Sequence, residues 1–396
     1  MSIRIVLSSL FIAASLIHLS CSDSPSSIGA NLLSQDLINI LELNSSKDSL
    51  FQSSSVHKKV IALSGADRLL LGKKGNVEAA ILIKFLIYFA DSIKQQIINN
   101  ELSILSAKIE YTQNYTFGNS TSPLDYSVHK INSDWSLGFT SDSLPLLSYD
   151  ANDVSSNKVF SDSVNTFEIE TPLVLNWMKS IADTNLPIEN GIFIKPLPSS
   201  EKIAGFYALS ITPEIPVPLL NIIIEKAGVY TDTLSFFPSV DLSVISGSLP
   251  DVGNENIGIQ AGLTTEARIF FDISKLPKDI IINYAQLTLT LDTTQTITGS
   301  NYTNSLRVNY LTDSSSLTID SSYLLVLNRD GNTFKGSITS YIQRALIENI
   351  NNGLLISPSN KIDGVELFAI KSSNASVLSE RPNLQIIYTS KNEFKN

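Results

Sequence analysis

Three histidines and one cysteine are the whole supply of imidazole and thiol chemistry in this chain of 396 residues. His18 sits in an apolar N-terminal run, and His57 adjoins Lys58 and Lys59, where an exposed position is expected. His129, in "YSVHKINSDW", falls in a strand-like alternation and is expected to face solvent. None lies in a His-Glu-x-x-His or other i, i+4 pairing that would bind zinc. A Gly-x-Ser-x-Gly elbow, a P-loop and a Gly-x-Gly-x-x-Gly turn are all missing, so acyl transfer and nucleotide binding have no support. Carboxylate pairs for glycoside cleavage are set by separation in space, not in sequence, which leaves a lyase or hydrolase as the weakest reading. "NRDGNTFKG" (328–336) puts Asn328, Asp330 and Asn332 at alternate positions as a calcium loop does, yet the closing Glu is missing, and Asp-Gly between strands predicts a hairpin turn. The sequence therefore assigns no catalytic residue, no metal site and no cofactor. Aromatic stacking is what remains. Trp135, with polar and glycine neighbours, and Tyr111 and Tyr126 are the candidate ligand-binding residues, with Tyr115 nearby, provided that their rings face solvent together. Trp177 lies on the apolar side of a helical pattern and is expected in the core.

The lone cysteine has a clearer setting. Arg4 is the one charge ahead of "IVLSSLFIAASLIHL" (5–19), which has the length of a signal-peptide apolar segment and is marginal for a membrane span. Ser20 and Cys21 follow, and then the polar run "SDSPSSIGANLLSQD" (22–36). The arrangement resembles a bacterial lipoprotein signal, with a small residue before the cysteine that is cleaved from its leader and acylated. It departs from that pattern in having His18 where Leu is usual. The resemblance implies a signal peptide over 1–20, lipid attachment at Cys21, a flexible tether over 21–36 and an exported chain anchored in the cell envelope, in the outer membrane of a Gram-negative bacterium. A single thiol used for acylation leaves none to mispair in an oxidising compartment, and no disulfide can form within the mature chain.

The formal charge of −10 argues against nucleic acid and against electrostatic attachment to anionic lipid. With 17% charged and 43% hydrophobic residues, the composition suits an exported β-protein, and the length suits two or three domains at roughly 150 residues each. Short β-branched runs dominate, as in "AAILIKFLIYF", "SAKIEYTQ", "RIFFDI" and "NLQIIYT". Leu287, Leu289 and Leu291 alternate with Thr288 and Thr290, the mark of a half-buried strand. Helical spacing is confined to "PLVLNWMKSIAD", with Leu173, Trp177 and Ile181 in one stripe, and "SITSYIQRALIENI", with Ile338, Ile342, Ala345 and Leu346 in another.

The same series of segments occurs twice. "VEAAILIKF" (77–85) answers "TEARIFFDI" (265–273), "LSAKIEYT" (105–112) answers "NYAQLTLT" (283–290), and "NGIFIKP" (190–196) answers "NGLLISP" (352–358). Each copy closes on a Pro and a strand, "VPLLNIII" against "RPNLQIIY", and opens on "DSLF" at Asp48 or "DTLSF" at Asp232. Duplication of one β-sandwich unit follows. The order "RIFFDISKLPKDIIINYAQLTLTLD", helix, "NNGLLISP" and "ERPNLQIIYT" resembles the DNRLRE domains, extracellular sandwiches akin to carbohydrate-binding modules. The first copy departs from that pattern in carrying "ADSIKQQIINN" where the second has "SKLPKD".

The expected architecture is all-β, two tandem jelly-roll-type antiparallel sandwiches with one short helix each. The first spans 37–228 and the second 229–390, with a tail over 391–396. The resemblance implies a non-catalytic binding module for glycan or surface polymer. The alternative is a structural lipoprotein docking an envelope protein. Asp-Ser/Thr tripeptides at Asp48, Asp91, Asp142, Asp162 and Asp232 resemble an O-glycosylation acceptor pattern of Gram-negative exported proteins.

Overall fold

The computed structural model describes residues 38–391 apart from 49 and 162. Ser20, Cys21, the signal segment and the tether through residue 36 lie outside the described residues, as does Asp162. The fold is all-β, with strands in two antiparallel sheets of 12 and 11 strands, each wrapped around its own apolar core. One core gathers Ile81, Ile83, Ile109, Phe167, Val174 and Ile192, the other Ile269, Leu287, Leu289, Phe334 and Ile342.

The element order repeats as the sequence implies. Strands Val77–Phe85, Ser103–Phe117, Ile192–Pro196, Ile203–Tyr207 and Leu219–Lys226 have their counterparts in Thr265–Phe271, Ile280–Thr290, Leu354–Pro358, Leu367–Lys371 and Asn383–Lys391. Both anticipated helices form. Thr171–Ala182 opens with proline in its first turn, where the missing N–H is no loss, and Thr339–Glu348 stops at Asn349, which takes the left-handed conformation. The first unit holds one helix more than expected. "ADSIKQQIINN", the stretch where the repeats diverge, coils as Asp91–Ile98 and buries Ile97.

The sandwiches are not the two halves of the sequence. Strands Ile38–Asn44 and Gln52–Lys58 pair with Asn383–Lys391 and Thr265–Phe271 of the second unit. Strands Tyr230–Phe236 and Pro238–Gly247 pair with Leu219–Lys226 and Val77–Phe85 of the first. Each repeat has donated its entry strands to the other, so the boundary expected at 228/229 cuts through a sheet. The cause is local. Lys226 and Tyr230 face one another across residues 227–229, with Gly228 at φ 71, a hairpin too tight for the next strand to lie anywhere but alongside the closing strand of the first unit. The matching place beside Asn383–Lys391 is filled by Ile38–Asn44.

The first sandwich also carries an extra layer. Residues 131–150 fold over its outer face and bury Ile131, Phe139 and Leu147 against Ala80, Leu82, Phe193, Leu242 and Val244. Covered on both sides, Val77–Phe85 can be apolar at nearly every position, whereas Thr265–Phe271 alternates and leaves Arg268 and Phe270 half-buried on its open face. A third cluster joins the units: Leu70, Tyr115, Phe117, Ile203 and Ile245 pack with Leu263 and Val365. Gly299 lies flat on the Tyr115 ring, where a Cβ would stand 2.4 Å from the ring, so only glycine allows the two units this approach.

Candidate binding site

Tyr111 and Tyr126 do not form a solvent-facing platform with Trp135. Both tyrosines occupy inward positions of their strands, each 4% exposed, and pack on Phe167 at 6.2 and 5.8 Å between ring centroids. Burial drives both phenols up, that of Tyr111 well above the ordinary tyrosine value. A ligand cannot reach them without unfolding the sandwich. Trp135 belongs to the covering layer, half-buried, with its indole N–H donating to the Asn190 carbonyl at 2.8 Å. Tyr115 is at the junction of the units, 1% exposed, with its hydroxyl oxygen accepting the Val365 N–H at 3.2 Å.

His129 is buried rather than solvent-facing, because the covering layer closes over its strand. One ring nitrogen lies 2.7 Å from Ser127 Oγ, and Nδ1 lies 2.9 Å from the Asp150 carbonyl. His57 is half-buried, its Nε2 2.8 Å from Ser55 Oγ. Trp177 is core at 4% exposure. "NRDGNTFKG" is a hairpin, with Asp330 paired to Thr333, Gly331 at φ 59 in the turn and Lys335 Nζ 2.9 Å from Asp330 Oδ2. Asp48, Asp91, Asp142 and Asp232 are all exposed.

A cleft of about 450 Å³ lies between the units instead. The first unit contributes Asp67 and Arg68 at the start of strand Arg68–Lys74, Asn114 from Ser103–Phe117, and Tyr207 at the end of Ile203–Tyr207. Two loops of the second contribute Asn301, Thr303, Asn360 and Asp363. Apart from Ala208, Leu209 and Ile215, every lining residue bears a hydrogen-bonding side chain.

The cleft is braced from below. Arg68 donates to the Asn301 and Asp363 carbonyls at 3.0 and 3.3 Å, and its guanidinium lies 5.1 Å from the Tyr115 ring centroid. Asp363 Oδ1 accepts the Asp67 N–H at 2.6 Å, and Asn301 donates its amide to the Asn114 carbonyl at 2.9 Å. Among the described residues, the Tyr207 and Thr303 hydroxyls and the buried Asn114 Oδ1 have no hydrogen-bond partner. Behind the cleft, burial raises the carboxyl of Glu366, whose Oε1 has no hydrogen-bond partner. No periodic pattern marks these residues, because they come from six separated places in the chain and meet only in the folded protein.

A second cleft, of about 190 Å³, is apolar and belongs to the first unit alone. Phe85, Leu86, Ile87, Trp177, Ile181 and Ile188 line it. Ile181 stands i+4 from Trp177, yet it is 44% exposed, since the buried face of the helix runs on to Ala182 and Ile181 lies beside it, in the cleft.

The fold and these clefts define a class of protein: an all-β tandem sandwich with a polar groove between its units. No protein-family model and no curated protein matches the chain.

Proposed function

We propose that the chain is a non-catalytic binding module, tethered to the envelope through Cys21, which holds a glycan in the cleft between its two DNRLRE-like units. The observation that carries this reading is the lining of that cleft: amides, hydroxyls and carboxylates over one part, with the Tyr207 ring, Leu209 and Ile215 beside them. A sugar presents the matching surface, hydroxyls around its edge and C–H groups on its face. Arg68 and Asp363 spend their hydrogen-bonding groups on the braces, which leaves the exposed Asp67 carboxylate as an acceptor for the hydroxyls of a neutral ligand.

The test is a screen of neutral and acidic oligosaccharides on an array. Wild-type protein is expected to bind at least one of them, and Tyr207→Ala with Thr303→Ala to weaken that binding tenfold or more while leaving the melting temperature within a degree or two. Absence of binding to every oligosaccharide, or equal binding by the double variant, defeats the assignment. Anchoring is tested separately. Cys21→Ser should move the protein from the membrane pellet to the soluble fraction, because one lipidated cysteine carries more than the single acyl chain that binds only marginally. Retention in carbonate-washed membranes by a correctly cleaved variant contradicts it.

The apolar cleft at Trp177 supports docking of a partner protein as the second reading. Ile188, 78% exposed at its rim, is the place for a photo-crosslinker. A discrete protein adduct from position 188 and none from the exposed Val229 supports that reading, and equal adducts from both speak against it.

A further inference from the structure

The two donated strand pairs occupy equivalent places but are held very differently. In the pair given to the first sandwich, Tyr230–Phe236 with Pro238–Gly247, the side chains of Phe236, Leu242, Val244 and Ile245 are all buried, and Ser243 Oγ accepts the buried Leu70 N–H at 2.7 Å. The pair given to the second sandwich, Ile38–Asn44 with Gln52–Lys58, has no buried residue along Gln52–Lys58 and, among its described apolar side chains, buries only Leu50 in the connection between the strands. Ile40 is 69% exposed and Val56 38%. Beyond Leu50 and the half-buried Leu43 against the core, what holds this pair is main-chain pairing, in register from Asn44 opposite Gln385 and from Lys58 opposite Thr265, with local ties such as Ser45 Oγ to the Leu384 N–H at 2.9 Å. "SSSVHK" carries one apolar residue, the exposed Val56, against the three buried ones of the "LSVIS" that enters the other sandwich.

Main-chain pairing is indifferent to which molecule supplies the strand. The link to the rest of the chain is residues 59–62, with Lys59 and Val60 exposed, before Leu63 is locked into the cluster between the units. We propose that the N-terminal strand pair is exchangeable between molecules, so that two copies of this chain each close the second sandwich of the other. Every hydrogen bond lost from one copy is remade in the second, so the two arrangements differ mainly by the entropy of association and by the strain in residues 59–62, and concentration shifts the balance. The strand pair given to the first sandwich stays where it is. It is fixed by its buried side chains and by the hairpin at 227–229.

Register supplies the test. In full-length chains carrying Cys21→Ser, which removes the only native thiol, Ile40→Cys and Thr389→Cys are placed on separate, differently tagged molecules; Ile40 and Thr389 face one another within the protein. The double variant Ile40→Cys, Thr389→Cys first shows that a disulfide closes within one chain. The single variants, mixed at high concentration, warmed and oxidised, are expected to give a cross-chain disulfide and a dimer on size exclusion. The equivalent mixture of Ile223→Cys with Thr233→Cys, opposed in the first sandwich, is expected to give neither. A cross-chain adduct from neither mixture would mean that the N-terminal pair is fixed to its own chain and would overturn the proposal. Equal adducts from both would mean collision instead of exchange and would overturn it as well.

Discussion

Residues 62–250 expressed alone are expected to melt in one cooperative transition, and residues 37–228 are not. The first fragment keeps the sandwich whole, including Pro238–Gly247 in its pairing with Val77–Phe85. The second discards the strands that bury Phe236, Leu242, Val244 and Ile245 and keeps in their place a pair whose partner sheet is gone. Fully burying one such side chain contributes roughly 1.5–3 kcal/mol, so losing four removes about 6–12 kcal/mol, comparable to the whole stability of a domain. The retained "QSSSVHK" cannot fold back as a substitute, since Ser53 and Ser55 would stand where the covering layer of residues 131–150 needs apolar contacts. Calorimetry and circular dichroism on the two fragments decide the matter. A cooperative melt of 37–228 equal to that of 62–250 would show that the exchange is not required for folding.

The repeat was legible because each strand carries its own alternation and each helix its own stripe, and these local patterns survive wherever the strands finally pair. The exchange was present in the sequence only as "EKAGVYTD". A glycine between two strand-like runs is the sign of a hairpin, and a hairpin there denies the boundary that the repeat suggests. Burial of the tyrosines was harder to read. Tyr111 and Tyr126 fall on the inward side of strands with polar neighbours, and it is their partners Phe167 and Phe206, distant in sequence, that fix which side is inward. His129 followed the same logic, since nothing within "YSVHKINSDW" announces that the chain will double back over it. "AAILI" did carry the covering layer in its unbroken apolar run, because a strand with one solvated face has no use for apolar residues on both.

Acidification from pH 7 towards pH 4 is expected to stabilise the fold, and Asp241→Asn to abolish most of that gain. Asp241 lies on the donated strand Pro238–Gly247, opposite Ile83 and 8% exposed, and burial pushes its carboxyl up to about 6 although its Oδ2 accepts the Leu209 N–H at 2.7 Å. The folded protein therefore holds a proton between about pH 4 and 6 that the unfolded chain has released, and stability falls as pH rises through that window. The difference from the ordinary value of 3.8 amounts to about 3 kcal/mol once both states are ionised. Glu366, also raised by burial, acts in the same direction. Carboxylates held low act below the window: Asp292, whose Oδ1 accepts the Thr294 hydroxyl at 2.6 Å, titrates at about 2, and its contribution is lost only as pH falls under 4. Asparagine keeps an acceptor for the Leu209 N–H and carries no charge to bury. Urea unfolding of Asp241→Asn should thus show a gain of about 2–3 kcal/mol over wild type at pH 7.5, shrinking towards zero near pH 4. A variant no more stable at pH 7.5, or one whose advantage is the same at both pH values, would place the source of the pH dependence elsewhere. A gain confined to the higher pH would locate an ionised, buried carboxylate on the very strand that the second repeat lends to the first.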